Sequence, residues 1–248
     1  MTLTTDSPLV TGPTKSERLG TVLAIDVGVQ EPALAVSRDN RMPRASLVVT
    51  TAARTLIRIS KAGEKFETLA VVGSECDPTL HPDFREIATN LRDLRNKWFS
   101  KAKLCLATDE PHLERPEVRL ALGVFDKVLV RFEWGTAKVF SAATGRKSTE
   151  LADLQTTLGN LENLVVIAQF YRGDVDNSTD AEIKAWLKRL SELRPREIHL
   201  LNPDPKGPSK APKKWRPVPK SRLQEITTEL SKKCGVPVHT YTSGVLLG

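Results

Sequence analysis

The chain has 248 residues, 40% apolar and 27% charged, with a net charge of +7 and a pI near 9.4. That length fits one α/β domain able to bury roughly 70–75% of its unfolded surface, and no run approaches the ~20 apolar residues of a membrane span. The basic excess favours anionic partners such as RNA or nucleotides. Residues 1–14 lack a charged-then-apolar secretory pattern and read as a flexible lead-in, ahead of a single domain over 15–248. Three cysteines, Cys76, Cys105 and Cys234, are too few and too scattered for a disulfide framework. A reducing, cytoplasmic setting is the expectation.

The first predicted strand is Thr21 to Asp26. Thr51 to Lys61 follows as a helix closed by Gly63. Leu69 to Val72, bounded by Gly73, reads as a buried parallel strand. It leads through Ser74-Glu75-Cys76-Asp77 to a helix from about Pro82 to Trp98, whose Pro lies in a first turn. Trp98 and Phe99 read as core anchors. Lys103 to Ala107 is the next strand, closing on Thr108 and Asp109, and its Cys105 reads as a buried thiol. A short helix starts at Arg115-Pro116, and Asp126 to Phe132 forms another strand.

Ser148 to Leu161 reads as a helix and Leu164 to Gln169 as a strand. Thr179 and Glu182 form a capping box for a helix through Trp186, Leu187 and Leu190, and turn chemistry accounts for Asp176-Asn177-Ser178. Arg196 to Leu201 is a strand in which His199 reads as packed. A Pro/Lys-rich loop spans 202–220. Ser221 to Cys234 is the last helix and Val236 to Tyr241 the last strand. Seven strands alternating with helices predict one parallel sheet built by right-handed crossovers.

Gly73-Ser74-Glu75-Cys76-Asp77-Pro78-Thr79-Leu80-His81-Pro82 resembles the Gly-x-Gly-Glu-Pro-Thr-Leu-His-Pro segment of the radical S-adenosylmethionine (SAM) superfamily, in the branch of the wyosine tRNA-base synthetases. Cys76 stands at a Gly position and Asp77 at the Glu position. Ser16 to Gly20, Thr108-Asp109, Arg131 to Thr136 and Gly173 to Ser178 resemble further segments of that branch. The resemblance implies an α/β fold, a radical-SAM-like partial (β/α)6 barrel of parallel strands with outer helices. It also implies that Glu75, Cys76, Asp77, Thr108, Asp109, Arg131 and Glu133 surround a SAM-like or other ligand. Trp134, at an Ala position, would either occlude that site or cover the barrel end.

The same resemblance calls for Cys-x3-Cys-x2-Cys after the first strand. The loop from Val27 to Arg44 contains no cysteine. Three thiolates hold a [4Fe–4S] cluster and leave one iron open for SAM; Asp26 and Asp39 are poor substitutes. The expectation is therefore a pseudoenzyme or binding protein for an anionic ligand or RNA, with no metal and no cofactor. The alternative is an active enzyme on RNA or a small metabolite, with SAM and a [4Fe–4S] cluster held by unusual ligands or supplied by a protein partner. In the basic loop, Lys213, Lys214, Trp215, Arg216 and Lys220 are the candidate nucleic-acid contacts, combining phosphate-binding cations with a ring that could stack on an unpaired base. A solvated, Pro-stiffened surface loop explains the same composition.

Overall fold

The computed structural model describes residues 8–30, 42–109, 113, 115–202 and 215–241. The chain groups into two compact units, residues up to Leu129 and residues from Val130 onward.

In the first unit, strands β1 (Val10–Ser16), β2 (Gly20–Asp26), β3 (Thr68–Val72) and β4 (Lys103–Thr108) lie side by side in chain order. β2, β3 and β4 are parallel, and β1 is antiparallel to β2. Helix α1 (Ala45–Lys61) follows β2, and a 3-10 turn (Pro78–Leu80) and helix α2 (Phe84–Trp98) follow β3. Helix α3 (Pro116–Leu122) follows β4. The parallel register sets Leu23, Leu69 and Leu104 in one row and Ile25, Val71 and Leu106 in the next. All six are fully buried, as are Val48, Leu56 and Ile59 of α1 and Ile87 and Leu91 of α2. Each such side chain contributes about 1.5–3 kcal/mol of transfer free energy. The alternate positions carry small residues, Ala24, Ala70 and Cys105. Phe99 packs its ring 4.5 Å from that of Phe66, and Trp98 is half-buried.

Two elements of this unit differ from expectation for identifiable reasons. The anticipated lead-in ends in β1, whose Gly12-Pro13 reads as a turn but sits at a register shift between Thr11 and Thr14. An edge strand tolerates Pro at such a bulge. Gly12 has φ 107°, and a Cβ there would lie 2.5 Å from the Val22 carbonyl. Helix α1 begins at Ala45 rather than Thr51, because Ala45, Val48 and Ala52 continue the buried stripe of Leu56 and Ile59. Its N-cap is Arg44, with no side-chain cap bond, so the usual start signal is missing from the sequence.

Strand β5 (Lys127–Arg131) runs across the division between the units. The second unit continues with α4 (Ala137–Thr144), α5 (Glu150–Gly159), β6 (Leu164–Gln169), β7 (Tyr171–Gly173) and α6 (Asp180–Leu193). It closes with β8 (Glu197–Leu201), β9 (Trp215–Pro217), α7 (Lys220–Lys233) and β10 (Val238–Tyr241). β6, β8 and β10 are parallel neighbours. β7 and β9 pair antiparallel as a separate two-stranded ribbon. Helix α4 was not anticipated, although Thr136 accepts a cap bond from the Val139 N–H and Gly145 ends the helix at φ 73°.

The capping box expected at Thr179 is only half formed. Thr179 Oγ1 accepts from Glu182 N at 3.3 Å, but the Glu182 carboxylate does not turn back. It accepts instead from Gly135 N (3.1 Å), Thr136 N (3.0 Å) and Thr136 Oγ1 (2.5 Å). Those two amides follow β5, and the carboxylate satisfies both. Trp186 on the same helix donates its indole N–H to Phe132 O at 2.9 Å.

The fold class is the expected one: α/β, with parallel strands and outer helices in the βα succession of a radical-SAM-like partial barrel. No helix among the described residues is long and apolar enough to cross a membrane.

Candidate functional site

In the first unit, the expected site residues lie at the carboxyl ends of β3 and β4. Asp77 is the N-cap of the 3-10 turn, and its Oδ1 accepts from Thr79 N (2.9 Å) and Thr79 Oγ1 (2.6 Å). Oδ2 accepts from Thr108 Oγ1 (2.7 Å) and Asp109 N (2.8 Å). Asp77, Thr108 and Asp109 are thus brought together. Burial outweighs these four bonds and raises the Asp77 pKa above the usual 3.8. The carboxylate ties the β3 loop to the end of β4.

A second tie joins that loop to the chain leaving β2. Asp26 Oδ1 accepts from Gly28 N (2.9 Å) and Ser74 N (3.2 Å), and Cys76 N donates to Gly28 O (3.0 Å). The Cys76 carbonyl sits so close that a Cβ on either Gly28 or Gly73 would lie 1.8 Å from its oxygen. Only glycine fits at both positions. The Cys76 thiol accepts from the Gln30 side-chain amide, while Glu75 is exposed. His81, 1% exposed, is held at both ring nitrogens: Nδ1 accepts from Asp83 N (3.0 Å) and Nε2–H donates to Pro43 O (2.7 Å). Burial lowers its pKa below 6.5 and keeps it neutral. It locks the start of α2 to the start of α1.

In the second unit, Glu133 is 3% exposed. Its Oε2 accepts from Gln169 N at 2.8 Å, and its Oε1 lies 3.9 Å from an Arg131 guanidinium nitrogen. The two expected residues of this unit are therefore neighbours. Trp134 is buried edge-on to Phe140 at 5.2 Å and donates to the Tyr171 hydroxyl at 3.2 Å. It fills the second unit's interior. Asn177 staples the same loop, accepting from Tyr171 N (2.9 Å) and donating to Glu133 O (3.1 Å) and Gln169 O (2.9 Å). Burial first, and the Glu133 charge next, push the Tyr171 hydroxyl well above its ordinary value of 10.0.

Of the expected nucleic-acid contacts, Lys213 and Lys214 lie outside the described residues. Trp215 opens β9 and stacks on Tyr171, ring centroids 4.4 Å apart and planes 10° from parallel. One indole face is thereby occupied. Arg216 is exposed and stands directly opposite exposed Arg172 across the ribbon. Lys220 is exposed at the start of α7. Arg222 is engaged by Ser178 O (2.8 Å), Asp180 (2.5 Å) and Glu225 (2.9 Å). Sequence reasoning missed Arg172, because a three-residue strand pairing with a segment more than forty positions away leaves no local signal. His199 is buried, with Nε2 3.1 Å from Glu197.

No protein-family model matches the chain, and no curated protein matches it. Solved structures do. A domain of pyruvate-formate lyase-activating enzyme from Bacteroides vulgatus aligns over 71% of this chain and 99% of its own, at 16% identity and a TM-score of 0.51. Elp3 from Methanocaldococcus infernus, lacking its N-terminus, aligns over 90% of this chain at 11% identity and a TM-score of 0.51. This chain spans 56% of that Elp3 chain. Both likenesses are distant and concern the fold alone.

The donor set does not fit the iron–sulfur cluster that the sequence resemblance implies. Cys105 is 1% exposed inside β4, Cys76 lies in the β3 loop, and Cys234 caps α7 in the other unit. Among the described residues, no three His, Cys, Asp or Glu side chains are grouped to hold a metal ion.

Proposed function

We propose that this chain is a binding protein on a radical-SAM-like scaffold, one that takes RNA rather than cleaving SAM reductively, and that it works without a resident cofactor. The observation carrying this reading is the charge of the stretch from Pro205 to Gln224. It holds seven Lys and Arg and no acid, and its described end is an ordered ribbon presenting arginine. Phosphate neutralisation by such cations supplies most sequence-independent affinity for nucleic acid. The β3 loop supports the same reading from the other side. Its Asp77 has four donors inside the protein, and its thiol is one of three on separate elements.

The test joins two measurements on the same preparations. Wild type and a Cys76→Ser/Cys105→Ala/Cys234→Ser variant are taken through anaerobic reconstitution, assayed for iron and sulfide, and titrated with SAM and with a labelled single-stranded oligouridylate. The expected result is no stoichiometric cluster, no SAM heat, and equal RNA binding by both proteins. Stoichiometric iron and sulfide with SAM binding would overturn the reading in favour of an active enzyme with unusual ligation. Failure of wild type to bind RNA would overturn it as well.

A further inference from the structure

The β7–β9 ribbon contains an arrangement that folding alone does not explain. In an antiparallel pair, directly opposed residues project to the same face, with Cβ atoms about 4.5–5.5 Å apart. The register Tyr171↔Pro217, Arg172↔Arg216, Gly173↔Trp215 therefore sets the two guanidinium groups side by side on one face. Like charges directly opposed destabilise a pair of strands. Among the described residues neither guanidinium forms a hydrogen bond or an ion pair that would relieve the repulsion.

The other face explains how the ribbon survives this. Gly173 has no side chain, so Trp215 opposite it can lean across and stack on the diagonal neighbour Tyr171 at 4.4 Å. Tyr171 is 3% exposed and its hydroxyl is fixed by the Trp134 indole. Tyr171 N is held by Asn177, and Val218 N donates to Phe170 O at 3.3 Å at the ribbon's end. One face is thus an aromatic anchor in the core of the second unit. The opposite face holds two arginines in a fixed, exposed and mutually repelling register.

We infer that Arg172 and Arg216 form a clamp for one phosphate of a nucleic-acid strand, a refinement that rests on the RNA-binding reading above. Guanidinium is a planar donor fork matched to phosphate oxygens, and two forks on one anion convert the repulsion into charge-assisted hydrogen bonds. The aromatic rings lie on the far face, so the clamp reads backbone and not base. Affinity then depends on salt and charge and is nearly indifferent to sequence.

The experiment measures anisotropy of fluorescein-labelled oligouridylate, oligoadenylate and oligocytidylate with the full chain across a salt series, beside thermal melting of each variant. Arg172→Gln and Arg216→Gln should each weaken binding about tenfold, the scale of one lost charge-assisted bond. The double variant should be little worse than either single, because half a clamp holds poorly. Arg172→Glu should abolish binding while raising the melting temperature, since it replaces a repulsion with a cross-strand ion pair to Arg216. The three oligonucleotides should bind within about threefold of one another, as expected of phosphate contacts. Wild-type binding with unchanged affinity in the glutamine variants would overturn the clamp and leave the RNA reading standing. Independent, multiplicative losses would show two separate contacts and also overturn it, and lower melting temperatures in all four variants would make the arginines structural and overturn it too. No binding by wild type would overturn both readings together.

Discussion

At the scale of single residues, Asp77 and His81 show how the conspicuous motif of this sequence is used. An amide at position 77 cannot reproduce two acceptor oxygens that each face a main-chain N–H. In either orientation the nitrogen of Asp77→Asn meets a donor, and chemical denaturation should report a loss of about 2 kcal/mol, the cost of an unsatisfied buried group. His81 contributes in the opposite sense to acid. Its folded pKa is lowered from 6.5 by burial, so the unfolded chain binds the proton more readily and stability falls as pH drops below 6.5. His81→Gln should flatten that slope in denaturation curves taken from neutral pH downward; an unchanged slope would assign it to another group. Asp77 runs the other way, because its raised pKa makes stability decline as pH rises from 3.8 through the folded value. The motif's outline was legible in the sequence because Asp-Pro-Thr-Leu-His-Pro is local. Its internal bonding to Thr108 and Pro43 was not, since those partners lie 31 and 38 positions away.

At the scale of elements, legibility followed the same physics. β3 and β4 were readable as unbroken apolar runs, and α2 and α7 as periodic stripes closed by recognisable ends. β1 was hidden because Gly12-Pro13 carries turn chemistry, and α1 was cut short because Arg44 caps without a side-chain bond. The β7–β9 ribbon was invisible for a different reason: three-residue strands have no period, and only the pairing gives them meaning. Its anchor predicts a local effect. Trp215→Ala removes the ring over Gly173 and Tyr171, and should cost about 1–2 kcal/mol in area and stacking. Hydrogen exchange should quicken at residues 171–173 and 215–217 while β3 and β4 in the first unit keep their protection. Loss of protection in both units would show that the ribbon supports far more than itself. A sharper steric prediction attaches to the β2 and β3 loops. Gly28→Ala or Gly73→Ala drives a methyl into the Cys76 carbonyl at 1.8 Å, and either should lower the melting temperature by several degrees.

At the scale of the whole molecule, the fold is shared far more widely than the sequence. The strand and helix succession is shared with solved structures at 11–16% identity, and such preservation is what burial requires: apolar rows and glycine at close approaches, with wide freedom elsewhere. The core rows of this chain contain no member of such a thiolate set other than Cys105, which packs as an apolar side chain in β4. The cysteines present have an experimental use. Cys105 is shut inside β4 of the first unit, while Cys234 sits half-exposed at the end of α7 in the second, its pKa raised by burial. In pulsed alkylation during denaturant unfolding, Cys105 should react only when the first unit opens, and Cys234 should report the fraying of α7. With Cys76 replaced by serine, Cys105 and Cys234 leave one chemical clock in each unit. Whether the two tick together or in sequence will tell if this protein melts as one body or as two.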